Sequence, residues 1–157
     1  MGSKAIGEAA KMFITYAQKT KKFDGLFSKI QIIAASENSI SFEMPIDERH
    51  TNAFGLLHGG ATASLVDFTT STALVNHGSN TRAGVSVDLS VSYLAAVKEG
   101  DSVLVDGIIE KVGRRVAFTR AEVRRKSDNS LVAIGLHTKA FPEVREDLTY
   151  PGTGIKA

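Results

Sequence analysis

The chain has 157 residues, of which 43% are hydrophobic, and this is enough for one ordinary domain with a substantial core. Its 19 lysine and arginine residues nearly balance 17 acidic residues, and the net charge of +2 argues against a dedicated nucleic-acid-binding protein. Because there is no cysteine, the composition also excludes a disulfide framework, a thiolate metal site and a cysteine nucleophile.

The N-terminal part is predicted to form an amphipathic helix over residues 7–22. Apolar side chains recur there at helical spacing, at Ala10, Phe13, Ile14 and Ala17. The sequence shows neither a compact signal peptide nor a run of about 18 apolar residues, so we expect no membrane span and an intracellular, cytoplasmic protein. A mitochondrial location is the alternative, because five lysines follow the helical pattern, although Glu8 weakens that interpretation.

Two short strands are predicted next, over residues 30–35 and 40–46, with a polar turn between them. Residues 59–76 then form a predicted helix of about 18 residues, which is about 27 Å long. This segment carries a single charged side chain, Asp67, and an almost chargeless helix in a soluble protein is normally buried.

The rest of the chain is predicted to be β-structure, with strands over residues 85–93, 103–112, 116–125 and 131–141. Short connections make consecutive strands antiparallel. The economical arrangement is an α+β fold in which an antiparallel sheet wraps around the long central helix. Residues 1–157 are expected to form one domain, and the tail after residue 142, which contains Pro151, Gly152 and Gly154, is expected to be flexible.

Gly59 and Gly60 open the central helix, where backbone N–H groups are unpaired and the helix dipole places partial positive charge. Glycines allow a ligand to approach the backbone, so this end of the helix could bind an anion or stabilise an oxyanion that develops on a carbonyl. The alternative is that the two glycines only permit close packing of helix and sheet. The residue types alone do not decide between them.

Asp67 is the second candidate, because a carboxylate in a buried helix rarely lacks a partner. It is either a general base or nucleophile, or it is held structurally by a neighbouring threonine or backbone amide. It follows Gly59 by eight residues, which is about 12 Å along the helix, so one carbonyl cannot contact both groups of the same chain. If both serve one reaction, Asp67 must come from another subunit, as two antiparallel helices across a two-fold axis would allow.

Three ordered motifs surround these residues: His-Thr-Asn-Ala at 50–53, His-Gly-Gly at 58–60 before Asp67, and Gly-Val-Ser-Val-Asp at 84–88. Together they resemble the hotdog-fold acyl-CoA thioesterases of the thioesterase superfamily member 2 (acyl-CoA thioesterase 13) type, which is related to the phenylacetic-acid-pathway thioesterases. The resemblance covers about residues 8 to 141. It implies a hotdog fold, a homodimer with shared active sites, and usually a homotetramer built as a dimer of dimers.

The resemblance also implies roles for individual residues. Gly59 would donate its amide to the thioester carbonyl, and Asp67 would activate the attacking water or attack directly. Asn52, His58 and Ser86 would orient the water, the carbonyl or the helix entrance. Considered without the resemblance, these three indicate only a loop-shaping asparagine, a capping or packing histidine and a solvated serine.

Coenzyme A carries a pyrophosphate and a further phosphate, so its site requires basic groups near an exposed rim. The candidates, on the two segments where the resemblance places nucleotide contacts, are Tyr93, Lys98, Lys111, Gly113, Arg114 and Arg115. Tyr93 would pack against the pantetheine or the adenine. The alternative is that these surface hairpins are charged merely for solubility.

The predicted function is hydrolysis of acyl-CoA thioesters to a free acid and CoA, without a cofactor. A thiolate leaves readily near neutral pH, which fits a site with one carboxylate and no evident proton donor beyond water. The four histidines show no metal-ligand spacing, so no metal is predicted. Two alternatives stay open: a non-catalytic acyl-CoA-binding or regulatory hotdog domain, and a hotdog enoyl-CoA hydratase or dehydratase, whose histidine on the same helix is missing.

Overall fold

The computed structural model describes residues 6–78, 82–143, 149 and 151–155. The long helices of these ranges are α1 (Glu8–Lys19) and α2 (Gly59–Asn76). The strands are β1 (Gln31–Ala35), β2 (Ser39–Pro45), β3 (Val85–Tyr93), β4 (Ser102–Val112), β5 (Val116–Arg125) and β6 (Leu131–Ala140).

The six strands form one antiparallel sheet in the order β1-β2-β4-β5-β6-β3. The sheet wraps around α2, and α1 packs on α2, where the rings of Phe13 and Phe68 lie 5.2 Å apart. The predicted α+β architecture, an antiparallel sheet around a central helix, is confirmed. The sequence did not indicate where β3 lies: it occupies an outer edge of the sheet and pairs, within the described ranges, with β6 alone.

The first helix is shorter than predicted. It ends at Lys19 instead of continuing to residue 22, because Thr20 adopts an extended backbone with ψ of 145°. A short 3-10 helix, Phe23–Phe27, follows and places Phe27 in the core. Another 3-10 turn, Glu48–His50, precedes α2, and neither short helix was predicted from the apolar pattern.

The central helix has the predicted bounds, Gly59–Asn76, and most of it is buried. Its threonine hydroxyls are satisfied inside the helix itself, since Thr69, Thr70 and Thr72 donate to the carbonyl oxygens four residues earlier at 2.8 Å. This back-bonding allows polar side chains to lie in an apolar interior without unpaired donors.

Two glycines of the sheet allow α2 to lie unusually close to it. A Cβ atom at Gly107 of β4 would stand 2.6 Å from the carbonyl oxygen of Thr69, and one at Gly135 of β6 would stand 2.4 Å from a methyl carbon of Val66. Neither distance is possible for a real side chain, so the depth at which α2 is seated depends on these two positions.

The C-terminal segment is partly packed. Ile155 is 1% exposed and belongs to the core, while the flexibility expected for the tail after residue 142 stays a prediction. Residues 144–148, 150 and 156–157 of that tail lie outside the described residues. Within the described ranges, no helix combines the length and apolarity that a membrane crossing requires.

Candidate active site

The entrance to α2 is organised by two histidines. The backbone N–H of His58 donates to the carbonyl of buried His50 at 2.8 Å, and His58 then caps the helix, its Nδ1 accepting from the N–H of Gly60 at 2.8 Å. His58 is therefore the N-cap residue of α2, as one of its two sequence interpretations suggested. An accepting Nδ1 requires a neutral ring to carry its hydrogen on Nε2, so the exposed edge of this ring presents a hydrogen-bond donor.

Asn52 shapes the loop before this cap. Its side-chain oxygen accepts from the N–H groups of Phe54 and Leu56 at 2.9 and 3.2 Å, and its backbone N–H donates to the Leu56 carbonyl. This is the loop-forming geometry expected of asparagine, and it leaves the two side-chain amide hydrogens unused by these bonds.

Gly59 is the first residue of α2, and its N–H meets no acceptor in the described part of the chain. Its carbonyl oxygen accepts from the Tyr93 hydroxyl at 3.1 Å. A Cβ atom at Gly59 would lie 3.4 Å from the Tyr93 ring, which is ordinary contact. The unpaired amide at the positive end of the helix dipole is thus available to a carbonyl or anion beside an aromatic wall.

Asp67 lies on α2, eight residues after Gly59, with a side chain that is 45% exposed rather than buried as its helix suggested. Its Oδ1 accepts from Lys139 Nζ and from Ser71 Oγ, both at 3.2 Å. No hydrogen bond within the described residues reaches Oδ2. The carboxylate therefore has one anchored oxygen and one open oxygen.

Ser86 is joined to the same carboxylate through His137, whose Nε2 lies 3.0 Å from Ser86 Oγ and 3.8 Å from Asp67 Oδ1. Thr70 Oγ1 lies 2.7 Å from the other ring nitrogen of His137 and already donates its hydrogen to Val66. Nδ1 must then donate to Thr70, and Nε2 accepts from Ser86, so Ser86 turns oxygen lone pairs towards the site. Burial, aided by the Lys139 charge and opposed by Asp67 and Asp88, lowers the pKa of His137 to about 4.

A β-bulge explains why Ser86 faces inwards from an exposed strand. The pairing of β3 with β6 shifts register between Ser86 and Asp88, so the alternation predicted from the sequence is interrupted at Val87. Ser86 is exposed, as expected of a solvated serine, and the bulge also turns its hydroxyl towards His137.

Asp24, on the 3-10 helix after α1, lines a small cavity of about 80 Å³ beside Asp67. Burial raises the pKa of Asp24, and the nearby Asp67 charge raises it further. The same cavity is lined by the aromatic rings of Phe13, Phe23, Phe27 and Phe68.

The residues predicted to bind CoA do not all lie together in the structure. Arg114 and Arg115 in the β4–β5 hairpin line an open groove of about 590 Å³ with Arg82, whose guanidinium lies 5.1 Å from the Phe141 ring centre. Lys111 and Gly113, in the same hairpin, do not line that groove. The groove lies at the end of β6 that carries Lys139, and so on the Asp67 side.

Lys98 and Tyr93 lie at the other end of the site. Lys98 forms an isolated β-bridge with Leu56, beside the loop that leads to Gly59. Within one chain the predicted residues therefore fall into two groups: an amide group with Asn52, His58, Gly59, Tyr93 and Lys98, and a carboxylate group with Asp67, Ser86, Arg114 and Arg115.

His137, Lys139 and Ser71 were missed from the sequence, although β6 carries a usable signal for two of them. Along this strand residues 133, 135, 137 and 139 are all buried, so a histidine and a lysine occupy positions that an apolar strand face would fill. Buried polar side chains at such positions indicate a specific partner.

The chain is similar in sequence to known thioesterases. The family model of the thioesterase superfamily matches residues 54–132. The human protein acyl-coenzyme A thioesterase 13 is 37% identical over 123 residues, which are 77% of this chain and 86% of the human protein.

Two solved structures are similar as well. The zebra fish thioesterase superfamily member 2 superposes with a TM-score of 0.80 at 34% identity, covering 88% of this chain and 99% of that one. The Mus musculus protein of the same name gives a TM-score of 0.75 at 31% identity, with coverage of 85% and 98%.

Proposed function

The chain belongs to the thioesterase superfamily and is a thioester hydrolase, and from this premise we propose that it hydrolyses acyl-CoA thioesters to a carboxylic acid and free CoA. The similarity to acyl-coenzyme A thioesterase 13 supports this substrate class. The observation that carries the proposal is the geometry of Asp67, a half-exposed carboxylate with one anchored and one open oxygen.

In the proposed reaction the Gly59 amide donates to the thioester carbonyl oxygen, where negative charge grows as the tetrahedral intermediate forms. Asp67 Oδ2 takes a proton from a water molecule, whose oxygen bonds to the carbonyl carbon. Collapse of the intermediate breaks the C–S bond and releases the CoA thiolate, which takes up the proton from Asp67 and so regenerates the carboxylate. In a variant of this scheme Asp67 attacks directly, and water then hydrolyses the acyl-aspartate.

The supporting residues take defined parts in this scheme. The Ser86 lone pairs accept a hydrogen from the attacking water, since its own hydrogen is donated to His137. His58 offers its Nε2 hydrogen to the carbonyl, and Asn52 holds the loop that leads to it. Neutral His137 bonds Ser86 without adding a positive charge that would compete for the carboxylate.

The site is proposed to be shared between two copies of the chain. Gly59 and Asp67 are about 12 Å apart along α2, too far for both to contact one carbonyl. The outer edge of β3 offers a way to join two copies: it is unpaired within the described ranges, and Val87 and Tyr93 on it are 64% and 56% exposed.

Antiparallel pairing of two β3 strands about their midpoint, near Leu89, would bring the Tyr93 end of one copy beside the Ser86 end of the other. Because Tyr93 bonds Gly59 and Ser86 bonds His137, this pairing unites the amide group of one copy with the carboxylate group of the second. Each dimer would then hold two equal sites.

A dimer of dimers is part of the same proposal. Phe118 of β5 and Leu136 of β6 are 49% and 56% exposed on neighbouring strands, diagonal to each other across the pair. They form an apolar surface on the outer face of the sheet, on the two strands next to β3, which a second dimer would cover.

The CoA phosphates are proposed to bind the arginine groove. Arg114 and Arg115 line it with Arg82, and guanidinium groups suit bidentate binding of phosphate. Lys98 and Tyr93 of the second copy would contribute from the amide side, and Lys111 and Gly113 would shape the hairpin.

The test is a panel of short, medium and long acyl-CoA esters, with released CoA detected by a thiol reagent. Because the chain has no cysteine, the protein itself gives no background. We expect release by the native protein and none above background with Asp67→Asn, which should still bind the ester. Asp128→Asn, in the exposed β5–β6 turn, is the matched control and should remain active.

Two outcomes would redirect the proposal. Ester binding without CoA release by the native protein would favour the regulatory alternative. Hydration of an enoyl-CoA without thioester cleavage would favour a hydratase. The observation that supports this alternative is the proximity of His137 to Asp67.

A further inference from the structure

Lys139 is a deeply buried charged side chain that contacts Asp67. It is 3% exposed on β6, and its Nζ lies 2.7 Å from Ser71 Oγ and 3.2 Å from Asp67 Oδ1. Burying an ammonium is costly unless a partner of opposite charge compensates for the lost hydration. Asp67 is the carboxylate that supplies this compensation.

The contacts of Asp67 are asymmetric as a result. Lys139 and Ser71 both donate to Oδ1, and Lys139 also bonds Ser71, so the three groups close a triangle. A carboxylate held at one oxygen by two donors cannot rotate freely, and its second oxygen then keeps a fixed direction.

Burial and the titratable groups near Lys139 determine the pH at which its side chain loses its proton. His137 faces it from the same strand and is neutral near pH 7, while Asp24 and Asp88 stand farther out, next to Asp67 and His137 respectively. Burial lowers the pKa of Lys139 from its ordinary 10.5, and the charge and hydrogen bond of Asp67 oppose that change. Its proton is therefore lost at a lower pH than that of an exposed lysine.

We propose that Lys139 is a positioning residue for the thioester hydrolysis, and that its ammonium fixes Asp67 through Oδ1 so that Oδ2 faces the substrate water. This rests on the proposed function, because it assigns Asp67 to the reaction. Activity then requires a charged residue 139 as well as an ionised Asp67. Lys139 itself touches no reacting atom.

The two requirements predict how activity depends on pH. As pH rises, Lys139 loses its proton, the ion pair becomes a weak neutral contact, and Asp67 regains rotational freedom. The native enzyme should therefore lose kcat on the alkaline side, beginning below pH 10.5. An arginine at this position stays charged and should move that decline to higher pH.

The experiment measures kcat and KM between pH 6 and 11 for the native protein, Lys139→Met, Lys139→Gln and Lys139→Arg, following loss of the thioester absorbance and subtracting chemical hydrolysis. We expect kcat to fall about 10- to 100-fold in the methionine and glutamine variants, with no alkaline decline left, since misplacing a catalytic group has this order of effect. Arginine should restore part of kcat, and KM should stay within about threefold.

Lys126→Met is the matched control, because Lys126 also pairs with a carboxylate, Glu43, but on the exposed surface. It should leave both kcat and the pH profile unchanged. The glutamine variant keeps a hydrogen-bond donor and separates loss of charge from loss of packing, and a melting temperature for each variant shows that it folds.

Near-native kcat in the folded methionine or glutamine variant, or an unchanged alkaline decline in the arginine variant, would overturn the positioning role. Failure of the proposed function looks different: the native protein itself would release no CoA, or would do so equally well with Asp67→Asn.

Discussion

The Tyr93 hydroxyl donates to the carbonyl oxygen of Gly59 at 3.1 Å, and this bond ties the edge strand β3 to the first residue of the central helix. The bond occupies the hydroxyl hydrogen, while the ring remains 56% exposed. Tyr93 therefore offers a fixed aromatic face next to the unpaired Gly59 amide, which is where the thioester and its pantetheine arm would lie.

The first prediction concerns that face. Tyr93→Ala should raise KM for acyl-CoA about tenfold because the apolar wall is lost, whereas Tyr93→Phe keeps the ring and should change KM less than threefold. Steady-state kinetics on one acyl-CoA ester measure both. An alanine variant with native KM would remove Tyr93 from the substrate site.

The second prediction isolates the Gly59 amide. Gly59 is the first residue of α2, where proline is tolerated, and His58 before it is already extended with ψ of 136°. Gly59→Pro should thus keep the helix but remove the N–H, lowering kcat about 100-fold or more. Gly59→Ala keeps the N–H and should retain most activity; equal losses in both variants would point to crowding against Tyr93 instead.

The third prediction tests whether the site is shared. Asp67→Ala and Gly59→Pro should each be inactive alone. A dimer that pairs the two variants holds one complete site out of two, so it should recover about half of native activity. Coexpression with two different tags, followed by assay of the doubly purified protein, measures it. No recovery in a verified mixed dimer would place both residues in one chain's site.

The fourth prediction concerns the arginine groove. Arg114→Ala combined with Arg115→Ala should raise KM about tenfold or more with little change in kcat, because remote phosphates are bound alike in ground and transition states. Arg124→Ala, which removes a strand-face arginine paired with Glu122, is the control and should leave KM unchanged. If kcat alone fell in the double variant, the phosphates would bind elsewhere.

The fifth prediction follows from His137. Its pKa is about 4 in the folded protein and 6.5 when exposed, so between these values the unfolded chain binds more protons and stability rises with pH. Acidifying from pH 6.5 to 4 should therefore cost about 2–3 kcal/mol through this residue.

Urea unfolding at several pH values measures that loss in the native protein and in His137→Gln, which should show a shallower decline. An identical slope in His137→Gln would show that His137 titrates normally.

The local sequence pattern was sufficient to predict the bounds of the central helix and of two strands. The bounds of α2, β3 and β5 are those predicted, because a glycine or a polar turn marks where each element begins or ends. Where a polar side chain interrupts helix periodicity without a clear stop, as at residues 20–22, the predicted end was wrong.

The sequence pattern marks Lys139 as a polar residue on a buried strand face, but it could not identify Asp67 as its partner. Lys139 lies 72 residues along the chain, and the two meet only because β6 is placed under α2 by the sheet order. The position of β3 beside β6 was likewise set by tertiary packing, so the inward turn of Ser86 could not be read from its alternating strand.

Gly107 and Gly135 set how closely α2 approaches the sheet on either side of Asp67. Their closest neighbours, Thr69 and Val66, flank Asp67 on α2. A single methyl group at either glycine would lift the helix and move the carboxylate away from Lys139 without touching either group. The orientation of the Asp67 carboxylate therefore depends on Gly107 and Gly135, two residues that do not contact it.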